Sequence, residues 1–270
     1  MSDARVADFG AIDGAFAALG GPYNNHLALR AALEDARARG ATRLFCLGDL
    51  GGFGPHPDRI QPILDAFGVA TIAGNYDRSL AERLADCGCG YTHPSDNHFA
   101  QLSYDYTNRR TPGAERDRLA ALPSLGRFTR NGRRVLLCHG SPRRINEFLW
   151  ESASSDAFLM RLAREAAADV VLCTHTGLHW QRRLPDGARF VNVGAVGRPA
   201  NDGSPRVWYA FFGAGAEEAA FVPVAYDHEA LAREMEAERI PAEFVETIRT
   251  GWWTTCLEIL PGKERARGRY

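Results

Sequence analysis

Residues 43–55 read Arg43-Leu44-Phe45-Cys46-Leu47-Gly48-Asp49-Leu50-Gly51-Gly52-Phe53-Gly54-Pro55. A short apolar run ends abruptly in Gly-Asp and then in a glycine-rich loop. The run is long enough for a buried strand, and the glycines let the backbone turn sharply beside the carboxylate. The same grammar recurs along the chain. Val69–Ala73 leads into Gly74-Asn75-Tyr76-Asp77, Val135–Cys138 into His139-Gly140-Ser141-Pro142, and Val170–Thr174 into His175. In open α/β sheets the carboxyl ends of strands converge on a crevice where ligands bind. Four such ends would deliver one Asp, one Asn and two His to that crevice, a donor set suited to Mn, Fe or Zn. A lone Asp or His after a strand is ordinarily a cap or turn residue. The set carries the inference, and no single member does.

Working outward, strands are expected at Phe16–Leu19, Arg43–Leu47, Val69–Ala73, Val135–His139, Val170–Thr174, Phe190–Val193 and Val207–Phe212. Leu29, Ala32, Leu33 and Ala36 form a helical stripe ending at Gly40. Ile60, Ile63, Leu64 and Phe67 form another, stopped by Gly68. This alternation predicts an α/β fold. Residues 86–111 are mixed and aromatic without a clean period, and read as an insertion able to cover a site. Asp227–Gly251 reads as two helices split at Pro241. The sequence therefore predicts one domain over residues 1–262 and a polar, mobile tail over 263–270.

Composition narrows the function. The 270 residues are 45% hydrophobic and 24% charged, with a formal net charge of -1. Such a chain buries a substantial core and offers no electrostatic case for nucleic acid or a membrane surface. The six cysteines show no disulfide framework. There is no signal-peptide pattern and no apolar run long enough to span a bilayer, so the cytoplasm is the expected location.

The ordered blocks resemble those of the calcineurin-like phosphoesterases, small bacterial branch, which read Asp-x-His, Gly-Asp-x-x-Gly, Gly-Asn-His/Cys/Tyr-Asp/Glu, His-Gly and Gly-His-x-His. Gly48-Asp49, Gly74-Asn75-Tyr76-Asp77, His139-Gly140 and Thr174-His175-Thr176-Gly177 match the last four in order, the last of them in part. Val191-Asn192-Val193-Gly194-Ala195-Val196-Gly197 is similar to the stretch that follows. The resemblance implies a two-sheet α/β sandwich with helices on the outer faces and a two-metal centre that hydrolyses phosphate monoesters or diesters. It implies that Asp49, Asn75, His139 and His175 form one complete metal site.

The other site departs from the family. Aligned on Ala28-Leu29, the family's Asp-x-His becomes Gly21-Pro22-Tyr23, and the last His of Gly-His-x-His becomes Gly177. Tyr23 as a phenolate on a ferric ion, His179, and the thiolates of Cys87 and Cys89 are the available substitutes. Tyr76 stands where several branches have a catalytic His; with Asp77 and Arg143 it completes the expected catalytic set. Arg144 and Arg198 also follow motif positions and could offer charge to phosphate oxygens. The expected partner is a small phosphorylated substrate. The alternatives are a catalytically silent member that binds a metal or nucleotide, and a single-iron enzyme of other chemistry.

Overall fold

The computed structural model describes residues 5–268. Eleven strands and nine α-helices are assigned among them. The strands are β1 (Val6–Ala11), β2 (Phe16–Leu19), β3 (Arg43–Cys46), β4 (Ala70–Thr71), β5 (Leu125–Arg130), β6 (Arg133–Leu137), β7 (Val170–Cys173), β8 (His179–Arg183), β9 (Arg189–Val193), β10 (Val207–Phe212) and β11 (Ala220–Val224). The helices are α1 (His26–Ala38), α2 (Ile60–Phe67), α3 (Asn75–Glu82), α4 (Pro94–Arg110), α5 (Gly113–Ala121), α6 (Asp156–Glu165), α7 (His228–Ala237), α8 (Ala242–Thr250) and α9 (Gly262–Arg267). No helix among the described residues is long and apolar enough to cross a membrane.

The strands form two mixed sheets, ordered β1-β5-β6-β7-β9-β8 and β11-β10-β2-β3-β4. Alternation along the strands sends each sheet's side chains into two different cores. Phe16, Phe45 and Phe212 from one sheet meet Phe128, Leu137 and Leu172 from the other in the layer between them. On the outer face of the five-stranded sheet, Leu19 and Leu44 pack against Leu29 and Leu33 of α1 and Ile63 and Leu64 of α2. On the outer face of the other, Leu136 and Val171 pack against Leu159 and Leu162 of α6. The result is the expected two-sheet α/β sandwich with helices outside.

Parallel pairing of β2 with β3, β3 with β4, β6 with β7 and β7 with β9 aims several strand ends in common directions. The loops after β3, β4, β6 and β7 therefore carry Asp49, Asn75, His139 and His175 toward one rim. Gly68 stops α2 in the left-handed conformation, φ 62°, as its position predicts.

Two expectations need correction. Residues 86–111 are largely helical, because α4 accounts for 94–110. Its inward face includes Asp96, Tyr104 and Thr107, so burial does not appear as an apolar stripe. The polar tail begins as helix α9, where buried Glu264 accepts from the backbone amide and the hydroxyl of Ser152.

Phe16 is the hub of the inter-sheet layer, stacked on Phe212 at 4.4 Å and edge-on to Phe128 at 5.3 Å. Phe16→Ala is expected to cost about 3–5 kcal/mol. The fall in denaturation midpoint by urea titration measures it, and a midpoint unchanged within error would contradict this packing.

Candidate metal centre

Backbone geometry sets up the centre before any side chain is considered. Asp49 has φ 60° and His175 φ 70°, left-handed conformations that non-glycine residues seldom adopt. Each is held there by a neighbour. The Asp77 carboxylate accepts from the amides of Asp49 and Gly74, both at 2.8 Å, and of Leu50 at 2.9 Å. Asn192 performs the same service for the second turn, donating to Thr174 O at 3.0 Å and Thr176 Oγ1 at 2.9 Å and accepting from Gly194 N. The Asp49 and Asn75 loops also approach very closely. A Cβ on Gly48 would strike the Gly74 backbone, and one on Gly74 would strike the Asp49 carboxylate.

On this frame the side chains converge. Asp49 Oδ2 lies 3.1 Å from His139 Nε2, which lies 3.1 Å from His175 Nδ1. The opposite ring nitrogens fix the tautomers. His139 Nδ1 donates to Leu47 O at 2.6 Å and His175 Nε2 donates to Cys89 O at 3.2 Å. Neutral, both imidazoles thus present lone pairs to each other and to a carboxylate, and three acceptors meet with no hydrogen to share. Such separations are those of donors about 2.0–2.2 Å from a common ion. Asn75, expected from sequence as the fourth ligand, opens helix α3. Its Nδ2 is committed to Cys87 O at 2.9 Å, while its buried Oδ1 has no partner. These residues fit a divalent cation, and the backbone carbonyls that orient the rings are the supports metal-bound histidines require.

In the absence of a cation, a proton is the available substitute. Burial opposes a charge on His139, yet Asp49 and the Leu47 carbonyl outweigh it and raise its pKa above the ordinary imidazole value. Burial, then the neighbouring His139, push His175 down to about 3. Burial also raises Asp49, but His139 and the other groups facing it outweigh this and hold it below the usual carboxylate value.

Tyr23, Tyr76, Asp49, His175 and Arg198 share the wall of a cavity of about 90 Å³ with residues of the 86–111 segment, including Cys89, Tyr91, Phe99 and Ser103. The segment therefore borders the centre, while His98 is exposed. Tyr76 is buried, with its hydroxyl 3.0 Å from Ser103 Oγ. Burial raises its pKa far above the ordinary phenol value, which keeps it a neutral hydrogen-bond donor.

Several candidate residues do other work. Asp77 is consumed by three backbone amides, so it positions the Asp49 loop; burial and Asp49 push its pKa up to about 6. Arg143 pairs with Glu147, lies 5.0 Å over Phe158, and borders a different hollow that it shares with His139. His179 stacks on Trp208 and Phe221, 4.6 and 4.7 Å away, outside the donor cluster. Cys87 and Cys89 are joined as a disulfide and offer no thiolate; their carbonyls instead orient Asn75 and His175.

Aromatic rings stand at both glycines where the resemblance would expect further ligands. A side chain on Gly21 would fall inside the Tyr23 ring. Burial, then Asp49, raise the Tyr23 pKa far above the ordinary phenol value, which opposes the phenolate considered from sequence. Gly177 has φ 74°, and the Trp253 indole stands 3.2 Å from where its Cβ would be. Sequence reading found both glycines but not the rings upon them. It also missed the Asn192 clamp, although an Asn inside the apolar run 190–193 was a visible signal.

Comparison with known proteins places this geometry. Residues 23–212 match the calcineurin-like phosphoesterase superfamily domain. An uncharacterized protein of Methanocaldococcus jannaschii is 23% identical over 245 residues, 85% of this chain and 95% of that protein. A hypothetical protein from Pyrococcus horikoshii has a similar structure, with TM-score 0.74, 20% identity, and 89% of this chain and 99% of that chain covered. A metallophosphoesterase from Sphaerobacter thermophilus has TM-score 0.68 and 22% identity, with 88% and 99% covered.

Protein loaded with Mn or Zn and then desalted is expected to retain close to one equivalent by elemental analysis. His139→Ala should lose most of it while keeping its far-UV circular dichroism. Two equivalents in the unaltered protein would show that the aromatic rings yield to a second ion.

Proposed function

The chain belongs to the calcineurin-like phosphoesterase superfamily, and we propose that it is a metal-dependent hydrolase of phosphate esters working from a single cation site. The observation that carries this reading is the buried meeting of Asp49, His139 and His175 at 3.1 Å spacings, three side chains able to ligate one ion. Asp49, Asn75, His139 and His175 would hold the ion. A cation there supplies Lewis acidity toward a phosphoryl oxygen and makes water a stronger nucleophile near neutral pH.

The remaining work falls to the protein. Asp77 and Asn192 hold the two strained turns, so the donors need no rearrangement to act. The Leu47 and Cys89 carbonyls fix both imidazole tautomers. Tyr76 lines the cavity beside Asp49 and carries a neutral hydroxyl, so it can donate a hydrogen bond to a phosphoryl or leaving-group oxygen. The aromatic residues of 86–111 restrict water at the centre, which strengthens each polar contact within it. A small phosphorylated substrate and a cytoplasmic setting belong to the same proposal.

One observation favours a second reading, a member that binds a metal without turnover. The Tyr23 ring occupies the space beside Gly21, so half of a two-ion clamp is replaced by phenol.

Turnover separates the two. Metal-loaded protein is expected to hydrolyse an aryl phosphate, with activity lost on chelation and restored by Mn. Tyr76→Phe should lower kcat on the order of tenfold with metal content unchanged. No turnover across a panel of monoesters and diesters, by protein carrying its full equivalent of metal, would decide for the silent member.

A further inference from the structure

The most conspicuous uncompensated group in the molecule is the guanidinium of Arg198. It is 7% exposed and lies between two aromatic faces, 3.8 Å over the Trp253 ring and 5.1 Å over that of Phe53. One nitrogen donates to Thr255, at 2.8 Å to the carbonyl and 3.4 Å to the hydroxyl, and Nε has no partner. Among the described residues no carboxylate lies within ion-pair distance of it.

Other buried arginines of this chain are treated differently. Arg130 donates to the carbonyls of Ile12, Gly14, Gly213 and Ala216. Arg116 is taken up by Leu80 O and by both oxygens of Asn108. Arg189 faces Glu217 and Glu218, each at 3.0 Å. The neighbours of Arg198 offer no such relief. Burial holds Tyr23, Tyr91 and Cys256 above their ordinary values, so all three stay neutral. A charge buried without a counter-ion is costly, and one that also borders a cavity is poised for an anion.

Its location says which anion. The amides of Val196 and Gly197 donate to Gly20 O at 3.0 Å and Gly21 O at 2.8 Å, which seats Arg198 beside the turn whose second metal ligand is missing. It lines the same cavity as Asp49 and His175. That cavity also holds Tyr23 and Tyr76, whose neutral hydroxyls leave Arg198 the cationic side chain facing it. The planar fork of a guanidinium matches two oxygens of such a group.

We propose that Arg198 is the phosphate anchor of this centre, a protein-borne positive charge that grips a terminal phosphoryl group where the second cation has been displaced by Tyr23. This rests on the phosphoesterase reading for its substrate class. It goes further in naming a specificity residue, a terminal phosphoryl group as the ligand, and one ion plus one guanidinium as the charge that holds it.

The test uses inorganic phosphate as probe, titrated calorimetrically into metal-loaded protein. Arg198→Met is expected to weaken phosphate binding by at least about tenfold while the metal equivalent stays the same. Arg198→Lys, which keeps the charge and loses the fork, should fall between the two and confirms that the loss is electrostatic should Arg198→Met prove less stable. In steady-state assays the same variants should raise KM and the inhibition constant of phosphate more than they lower kcat. Phosphate binding equal in wild type and both variants, or absent from metal-loaded wild type, overturns the proposal. Hydrolysis by wild type with KM indifferent to Arg198 would remove the anchor and leave the phosphoesterase reading intact. Phosphate binding that depends on Arg198, without turnover of any ester, would remove the hydrolase and leave the anchor.

Discussion

Three lone pairs pointed at one another repel, and a folded chain that brings them together must overcome both that repulsion and their desolvation. Asp49, His139 and His175 are in this position unless a proton or a cation lies between them, and much of the surrounding backbone is explicable as the cost of keeping them there. Two left-handed non-glycine turns, a buried Asp77 spent on three amides and a buried Asn192 spent on another turn are unfavourable choices taken singly. They are tolerated because a rigid sandwich, with phenylalanines interlocked between its sheets, overdetermines the loops. A cation at the convergence point turns the repulsion into ligation, so stability and metal occupancy become linked quantities.

How much of this was legible depended on where each residue sits relative to the sheet. The interior strand β7 is buried along its whole length and reads as an apolar run, as does the Val135–Leu137 part of β6. The strands that sequence reading missed lie at or beside an edge. β1 carries Asp8, β8 reads His179-Trp180-Gln181-Arg182-Arg183 and β11 contains Pro223, all ordinary for edges and poor in pattern. β5, next to edge strand β1, alternates exposed Arg127 and Thr129 with buried Gly126, Phe128 and Arg130, so an arginine stands among its buried positions. Helix α4 was hidden for a related reason. Ser103 binds the Phe53 amide and Tyr76, Thr107 binds Asn24, and so its inner face is chemically a loop partner rather than an apolar stripe.

The clustering of Asp49, His139 and His175 was readable because such residues are recognised by type and delivered by strand ends. What fills the space around them was not. A Gly at position 21 or 177 departs from the pattern of the resemblance, but only three-dimensional contact reveals the Tyr23 and Trp253 rings in those volumes. Local charge was equally opaque. Arg143 and Arg198 look alike in sequence, each just past a motif. One is neutralised on the surface by Glu147, whereas the other is buried without a carboxylate partner.

The loop holding Cys87 and Cys89 has a kinetic consequence. Its carbonyls are the hydrogen-bond acceptors for Asn75 and His175, and Gly88 O is itself tied to Asn146 at 2.9 Å. The same stretch of chain forms a wall of the cavity. Gate and ligand cage are therefore one mechanical body. Any excursion that swings this wall aside also releases Asn75 and His175 from their orienting bonds. Were an ion held there, an occupant of the cavity that keeps this wall in place would slow its escape, a coupling that runs equally in both directions at equilibrium.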